Sequence, residues 1–332
     1  MQRGGKVTAG EIVGMPIQSG EIAAADPRPK PSHRRKYLWA IGVTFYIAVI
    51  WFVGWDRLVD AVRGAALWPL AGMFALMAAG QVLRALKWRY ALGRGQHAFR
   101  AFAVSKAGGE WSPGRIGEFA PLMIAQHRSS RVAAWIVADR VFEMAATLGI
   151  GFAGLLLIRA ANRGYMLSAV AGVIALVAFG LFILTRRRWL DAIARRMPAD
   201  SRARLYTLLL VRVSEELIGF ARYAPVLFGV TIATGLIDLA VGYSLYVAFG
   251  FAVPIAVLAA AKGLHAVTSA IPITPNATGI PYFAAAALLH EVGGVEPGAL
   301  AASVGISVIA SQLVLWSSFG LAAFDGGTDS EI

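Results

Sequence analysis

The stretch YAPVLFGVTIATGLIDLAVGYSLYVAF, Tyr223 to Phe249, holds one charged residue, Asp238, in 27 positions. A bilayer core needs about 20 apolar residues per helix, so the stretch is long enough to cross one. Five further runs read the same way, approximately Leu38 to Trp55, Ala65 to Leu83, Ala133 to Ile158, Met166 to Leu184 and Leu300 to Phe324. Composition agrees: of 332 residues, 58% are hydrophobic and 15% charged, unlike an ordinary soluble domain. The expected fold class is an all-α polytopic integral membrane protein with about six spanning helices.

Two more hydrophobic stretches, Ala101 to Ala125 and Pro254 to His290, are interrupted by Pro, Gly and charge. Basic residues decide how they run. The first 36 residues form a Pro-, Gly- and charge-rich tail, expected to be disordered. It ends in His33-Arg34-Arg35-Lys36, which the positive-inside rule places in the cytoplasm. The loop Asp56 to Arg63 then lies outside, and Arg84, Lys87, Arg89, Arg94 and Arg100 lie inside. Stretch 101-125 is flanked on both sides by cytoplasmic-type charge, so it should enter and return. The segment 186-222 brings nine arginines back inside, stretch 254-290 re-enters from the opposite face, and 300-324 returns the C-terminus to the cytoplasm. Four basic residues (Arg57, Arg63, Arg159, Arg163) fall outside and four (Lys106, Arg115, Arg140, Lys262) within membrane segments, leaving 23 of 31 as a cytoplasmic collar.

This order contains an inverted repeat: span, broken segment and span over 65-158, then the same unit upside down over 223-324. Pro113-x-x-x-Gly117 recurs as Pro275-x-x-x-Gly279, with Lys106 and Lys262 ahead of them. Inverted repeats with discontinuous helices are a recurring transporter architecture, because broken ends offer backbone groups to a substrate. The domain reading is a tail at 1-36, one transmembrane transporter domain at 37-324 and a short acidic cytoplasmic tail at 325-332. The halves are joined by a basic amphipathic linker at 186-222. Within it, Leu205, Leu208, Leu209, Val213 and Leu217 alternate with Arg202, Arg204 and Arg212 as on an inner-leaflet helix.

Ionisable residues are costly inside a membrane and mark cavities or partners. One cluster comprises Glu110, Arg115 and Glu118 in the inner broken segment with Asp139, Arg140 and Glu143 on the next helix, where Arg140 and Glu143 are spaced to pair. A second joins Asp238 to Lys262 and His265 across an outer cavity. In Trp111-Ser112-Pro113-Gly114-Arg115-Ile116-Gly117-Glu118, proline and glycine permit a tight break and Arg115 presents a fork suited to phosphate. Salt-bridge service would explain the acids equally well. Pro113, Gly114, Gly117, Pro272, Pro275, Asn276 and Gly279 are the expected structural turns of the broken helices. Gly149, Gly151 and Gly154 read as close helix packing.

Several chemistries are excluded or disfavoured. The chain has no cysteine, so it has no disulfide framework or thiolate nucleophile. The histidines show no ligand spacing, and no metal or cofactor is expected. No P-loop, Rossmann turn or Ser/His/Asp grouping is evident. The net charge of +12, spread as a collar, points to anionic lipid and not to nucleic acid.

The run Arg84-Ala85-Leu86-Lys87-Trp88-Arg89, then Ser112 to Glu118, then Ala138-Asp139-Arg140-Val141-Phe142-Glu143, resembles the flippase-like transmembrane family. That family includes the membrane domain of lysylphosphatidylglycerol synthases and a hopanoid-associated relative. The likeness covers roughly 65 to 324. The family's second half usually carries Pro-Gly-Gly-x-Gly followed by a glutamate. Here Pro275-Asn276-Ala277-Thr278-Gly279 is followed by Pro281-Tyr282 with no acid. The resemblance implies a lipid flippase of the bacterial inner membrane, without the aminoacyl-transfer domain that the synthases append. It would move an amphipathic phospholipid or related lipid with an anionic or zwitterionic headgroup. Arg115, Arg140 and Lys262 would contact the anionic group, and Glu110, Glu118, Asp139, Glu143 and Asp238 would complete the site. Self-association is compatible with the sequence. The competing classes are an intramembrane lipid-modifying enzyme and a non-transporting scaffold for lipid synthesis.

Overall fold

A computed structural model describes residues 51, 54–93, 97–110, 116–123, 130–158, scattered positions between 164 and 182, 186–198, 202–269 and 280–323. Among the described residues all regular structure is helical. In chain order the helices are α1 (Trp55–Gly64), α2 (Leu67–Leu92), α3 (Ala98–Glu110), α4 (Ser130–Leu157), α5 (Arg187–Arg196), α6 (Arg202–Phe220), α7 (Ala224–Ala248), α8 (Ile255–Ser269), α9 (Ile280–Glu291) and α10 (Pro297–Ala323). Short 3-10 segments run over Ile116–Met123 and Ala221–Tyr223. Three stretches are long and apolar enough to cross a membrane: α2, α4 and the continuous run Leu210–Ala248. Ile255–Thr268 and Pro297–Ser307 are shorter apolar helices. The tail 1-36, most of the expected first span and nine of the nineteen positions of 166-184 lie outside the described residues.

Three boundaries differ from the sequence expectation. The external loop 56-63 is the helix α1. Stretch 101-125 divides into α3 and a 3-10 segment with Pro121 inside it. The most consequential change is at α2, which does not stop before Arg84 but continues to Leu92. Ala85, Trp88, Ala91 and Leu92 keep an apolar face going past the charges and are all buried. Val82, Leu86 and Tyr90, spaced by four, form an exposed stripe on the same helix. Gly93 ends it in the left-handed region at φ 81°, donating its N–H to Arg89 O at 2.9 Å.

Packing around α2 and α4 is aromatic at one end. Trp88 meets Phe102 of α3 and Trp135 of α4 edge-on, with ring centroids 5.8 and 6.2 Å away, and Trp135 continues to Phe220 of α6 at 5.4 Å. Such offset contacts suit the ring quadrupoles. Tyr90 of α2 and Tyr223 before α7 stack edge-on at 5.8 Å. The other end of α2 is tied down by Ala66 N–H donating to Ala248 O at 2.7 Å. Helix α2 therefore packs along α7.

Helices α4 and α8 approach as closely as backbones allow. A Cβ on Gly151 would collide with Gly263, and one on Gly154 would lie 2.6 Å from both Ala256 O and Ala260 N. Lipid gives apolar side chains no reason to leave it for each other, so membrane helices gain contact by bringing small residues together. Gly151 and Gly154 do this, whereas Gly149 has open space around it. The α3 and 3-10 segments are also in glycine-mediated contact, with Gly108 against Gly117 and Gly109 against Glu118. Helices α8 and α9 pack on each other in a core that includes Val257, Leu258, Leu288 and Leu289. Their outer ends meet where Val253 faces Gly293.

A side chain at Gly154 must push two backbones apart. Gly154→Leu should cost about 1–3 kcal/mol or more by overpacking, read as a lower unfolding temperature in detergent. Gly149→Leu should leave that temperature nearly unchanged.

Candidate functional site

Charged side chains from six elements converge between the helices. Arg84 of α2 gives its Nη2 to both carboxylate oxygens of Asp238 on α7, at 2.7 and 2.8 Å. Lys262 of α8 donates to Asp238 Oδ2 at 2.7 Å. The expected Asp238 and Lys262 pair is therefore present, but it has a third member that lay hidden as a cytoplasmic charge. Asp238 is also the most open of the group, with its side chain 37% exposed.

One helical turn along α2, Lys87 forms a buried ion pair with Asp139 of α4. The exposures of the two side chains, 0% and 5%, leave each with no water to replace its partner. Asp139 Oδ2 also accepts from the Trp88 indole at 2.8 Å, and Lys87 donates to Thr231 Oγ1 of α7 at 3.2 Å. Thr231 in turn donates to Leu227 O at 2.7 Å. The ion pair and these hydrogen bonds together make burial of the two charges tolerable.

The third group centres on Arg140 of α4. Its Nε and Nη2 donate side by side to the two oxygens of Glu118 on the 3-10 segment, and its Nη1 donates to Glu143 Oε2 at 2.6 Å. A guanidinium fork is suited to that two-pronged geometry in a way an ammonium is not. Lys106 of α3 reaches Glu143 Oε1 at 3.5 Å. The sequence spacing of Arg140 and Glu143 thus gives a real pair, while Asp139 turns away from them to Lys87.

The two expected clusters are one network. Arg84 lies close enough to Glu143 and Asp139 to interact with both electrostatically. Asp238 sits fourteen residues from the start of α7, about 21 Å along it, beside residues of the inner cluster and not across a separate outer cavity. Five cations (Arg84, Lys87, Lys106, Arg140, Lys262) face four acids (Glu118, Asp139, Glu143, Asp238) in the named contacts. Among the described residues no cluster of His, Asp and Glu could hold a metal ion.

A family model described as the lysylphosphatidylglycerol synthase TM region matches residues 39–316. The chain belongs to that family. No curated protein and no solved structure matches the chain. Membership in the lysylphosphatidylglycerol synthase TM family and the apolar helices together make it a multi-pass, all-α membrane protein whose surroundings are membrane lipids. The match begins near the start of the first expected span, so it takes in more of the chain than the three motifs alone.

Of the expected site residues, Arg140, Lys262, Glu118, Asp139, Glu143 and Asp238 come together. Arg115, Pro113, Gly114, Pro272, Pro275, Asn276 and Gly279 lie outside the described residues, as does the Glu110 side chain. Gly117 lies in the 3-10 segment, with its carbonyl close against Gly108. Arg84 and Lys87 were not expected in the site. A hydropathy window closes at the first charge, yet Arg84 and Lys87 are three apart and share a face with Trp88. Unmatched acids in neighbouring spans were the available signal.

Lys87→Met leaves Asp139 charged and buried without its cation, so unfolding in detergent should lose about 3–5 kcal/mol. Adding Asp139→Asn removes the stranded charge and keeps an acceptor for Trp88. The double variant should regain most of the lost thermal stability. Equal losses in single and double variants would deny the pair its structural role.

Proposed function

We propose that this chain is a lipid flippase, moving an amphipathic phospholipid or related lipid across the bacterial inner membrane while its tail stays in the bilayer. The observation that carries the reading is the charged network, built from both halves of the chain in the middle of apolar helices. Charge at that depth is expensive, and a charged network inside a member of a membrane lipid family suits passage of a headgroup. The partly open cations Arg140 and Lys262 suit an anionic or zwitterionic headgroup. Transport is preferred over an intramembrane lipid-modifying reaction because Asp139, Glu118, Glu143 and Asp238 are each engaged by a cation. A general base must be free to take a proton. A non-transporting scaffold would use the closed Lys87–Asp139 pair for stability but has little need of the more open Arg140 and Lys262.

The architecture in this reading is one transporter domain over 37-324 with cytoplasmic termini, about six spans and two re-entrant segments. Contacts between α3 and the 3-10 segment, and between α8 and α9, support two segments that fold back. The packing also has the symmetry an inverted repeat requires. Helices α2 and α7, in equivalent places, pack on each other, α4 packs on α8, and α10 packs on α3. Exchange of the halves maps each of these contacts onto another or onto itself. Lys106 and Lys262 occupy equivalent broken segments, and each reaches an acid on a neighbouring helix.

Headgroup movement through the network would exchange Asp238 for substrate at Arg84 and Lys262. Lys262→Met should slow transfer of a fluorescent phosphatidylglycerol between leaflets of reconstituted vesicles by roughly tenfold, the scale of one lost charged hydrogen bond. The readout is protection of the dye from a membrane-impermeant reductant. Unchanged transfer in a folded Lys262→Met protein removes the network from the pathway.

A further inference from the structure

The sequence places a basic amphipathic face on 201-222, and the structure shows another on the short helix before it. Helix α6 buries Val211, Val213, Ser214 and Phe220 and packs on both α4 and α5, while Leu208, Leu210 and Ile218 stay exposed. Helix α5 is the ten residues RRWLDAIARR. Leu190 and Ala194 face inward and are buried, while Trp189 and Ile193 are 61% and 47% exposed. At about 100° per residue, Trp189 and Ile193 lie next to Leu190 and Ala194 on one continuous apolar arc. Helix α6 covers only part of it.

Arginines border the uncovered part. Arg186, Arg188, Arg195 and Arg196 are all exposed, and Asp191 is the single acid in the helix. Arg186 also lies over the Phe182 ring, 4.4 Å from its centroid. A helix of this length and charge cannot span a bilayer. An exposed tryptophan and isoleucine rimmed by arginine do suit the boundary layer, where the indole sits among headgroups and guanidinium groups meet phosphate. Membership in a membrane family supplies the surface.

We propose that α5 is an interfacial helix that binds an anionic phospholipid leaflet, with Trp189 and Ile193 inserted and Arg186, Arg188, Arg195 and Arg196 on lipid phosphates. The surface reads leaflet charge outside the transport pathway, and its contact passes through α6 to α4, which carries Arg140 and Glu143. It stands or falls independently of lipid translocation.

The absence of cysteine makes a single-site probe clean. Full-length Ile193→Cys, labelled with an environment-sensitive dye, is reconstituted into phosphatidylcholine vesicles with or without one third phosphatidylglycerol. The expected result is a blue-shifted dye, quenched by shallow spin-labelled lipid and shielded from iodide when phosphatidylglycerol is present. Arg188→Gln, Arg195→Gln and Arg196→Gln on that background should each lower the ratio of docked to free helix, by about fivefold per arginine. These side chains are exposed, and an unaltered gel-filtration profile certifies the fold. A dye that stays open to iodide in both vesicles overturns the proposal and leaves the face to a protein partner. Equal insertion into phosphatidylcholine alone, unmoved by the arginine changes, overturns the anionic preference and the proposal with it.

Discussion

Lys87 and Asp139 meet where α2, α4 and α7 pack, and neither could remain charged there without the other. The ammonium is held by a carboxylate and a threonine hydroxyl, and the carboxylate by the ammonium and an indole. Breaking such a set is expensive because the survivor keeps its desolvation cost. Three helices are therefore fixed in register at one point. Arg84, one turn away, can then reach α7, and Arg140, one residue on from Asp139, is turned toward Glu118 of the 3-10 segment. The more open charges depend for their placement on the closed pair.

That dependence separates two kinds of charge in the same network. Lys87, Asp139 and Glu118 are almost wholly enclosed, while Asp238, Arg140, Lys262 and Glu143 keep some exposure. Enclosed pairs lose more by separation than they could recover from a passing ligand. Partly open pairs have water or a headgroup as an alternative partner. The division places stability at Lys87 and Asp139 and exchangeable contacts one turn away along α2, at Arg84 and Asp238.

Several helices were legible because long hydropathy runs mark apolar helices on their own. The spans that became α4, α7 and α10 differ from expectation by a few residues at their ends. The length of α2 was not legible by the same rule, since a run scored for apolarity treats Arg84 as a terminus. What continues the helix is the pattern Ala85, Trp88, Ala91 and Leu92, and what makes Arg84 tolerable is an acid 154 residues away. Local sequence cannot show a partner at that separation. The same limit explains the site: each acid could be named from its span, and the cation it would choose could not. Asp139, named from its own span, takes Lys87 from another helix. The Arg115 turn, the sharpest motif in the chain, lies outside the described residues.

The glycine seam between α4 and α8 has a mechanical meaning. Repacking needs side chains that can change rotamer, and at Gly151, Gly154 and Gly263 there are none to change. The two helices are geared as a single strut, one bearing Arg140 and Glu143 and the other Lys262. Any widening of the polar network must then come from α2, α3 or α7 moving against that strut.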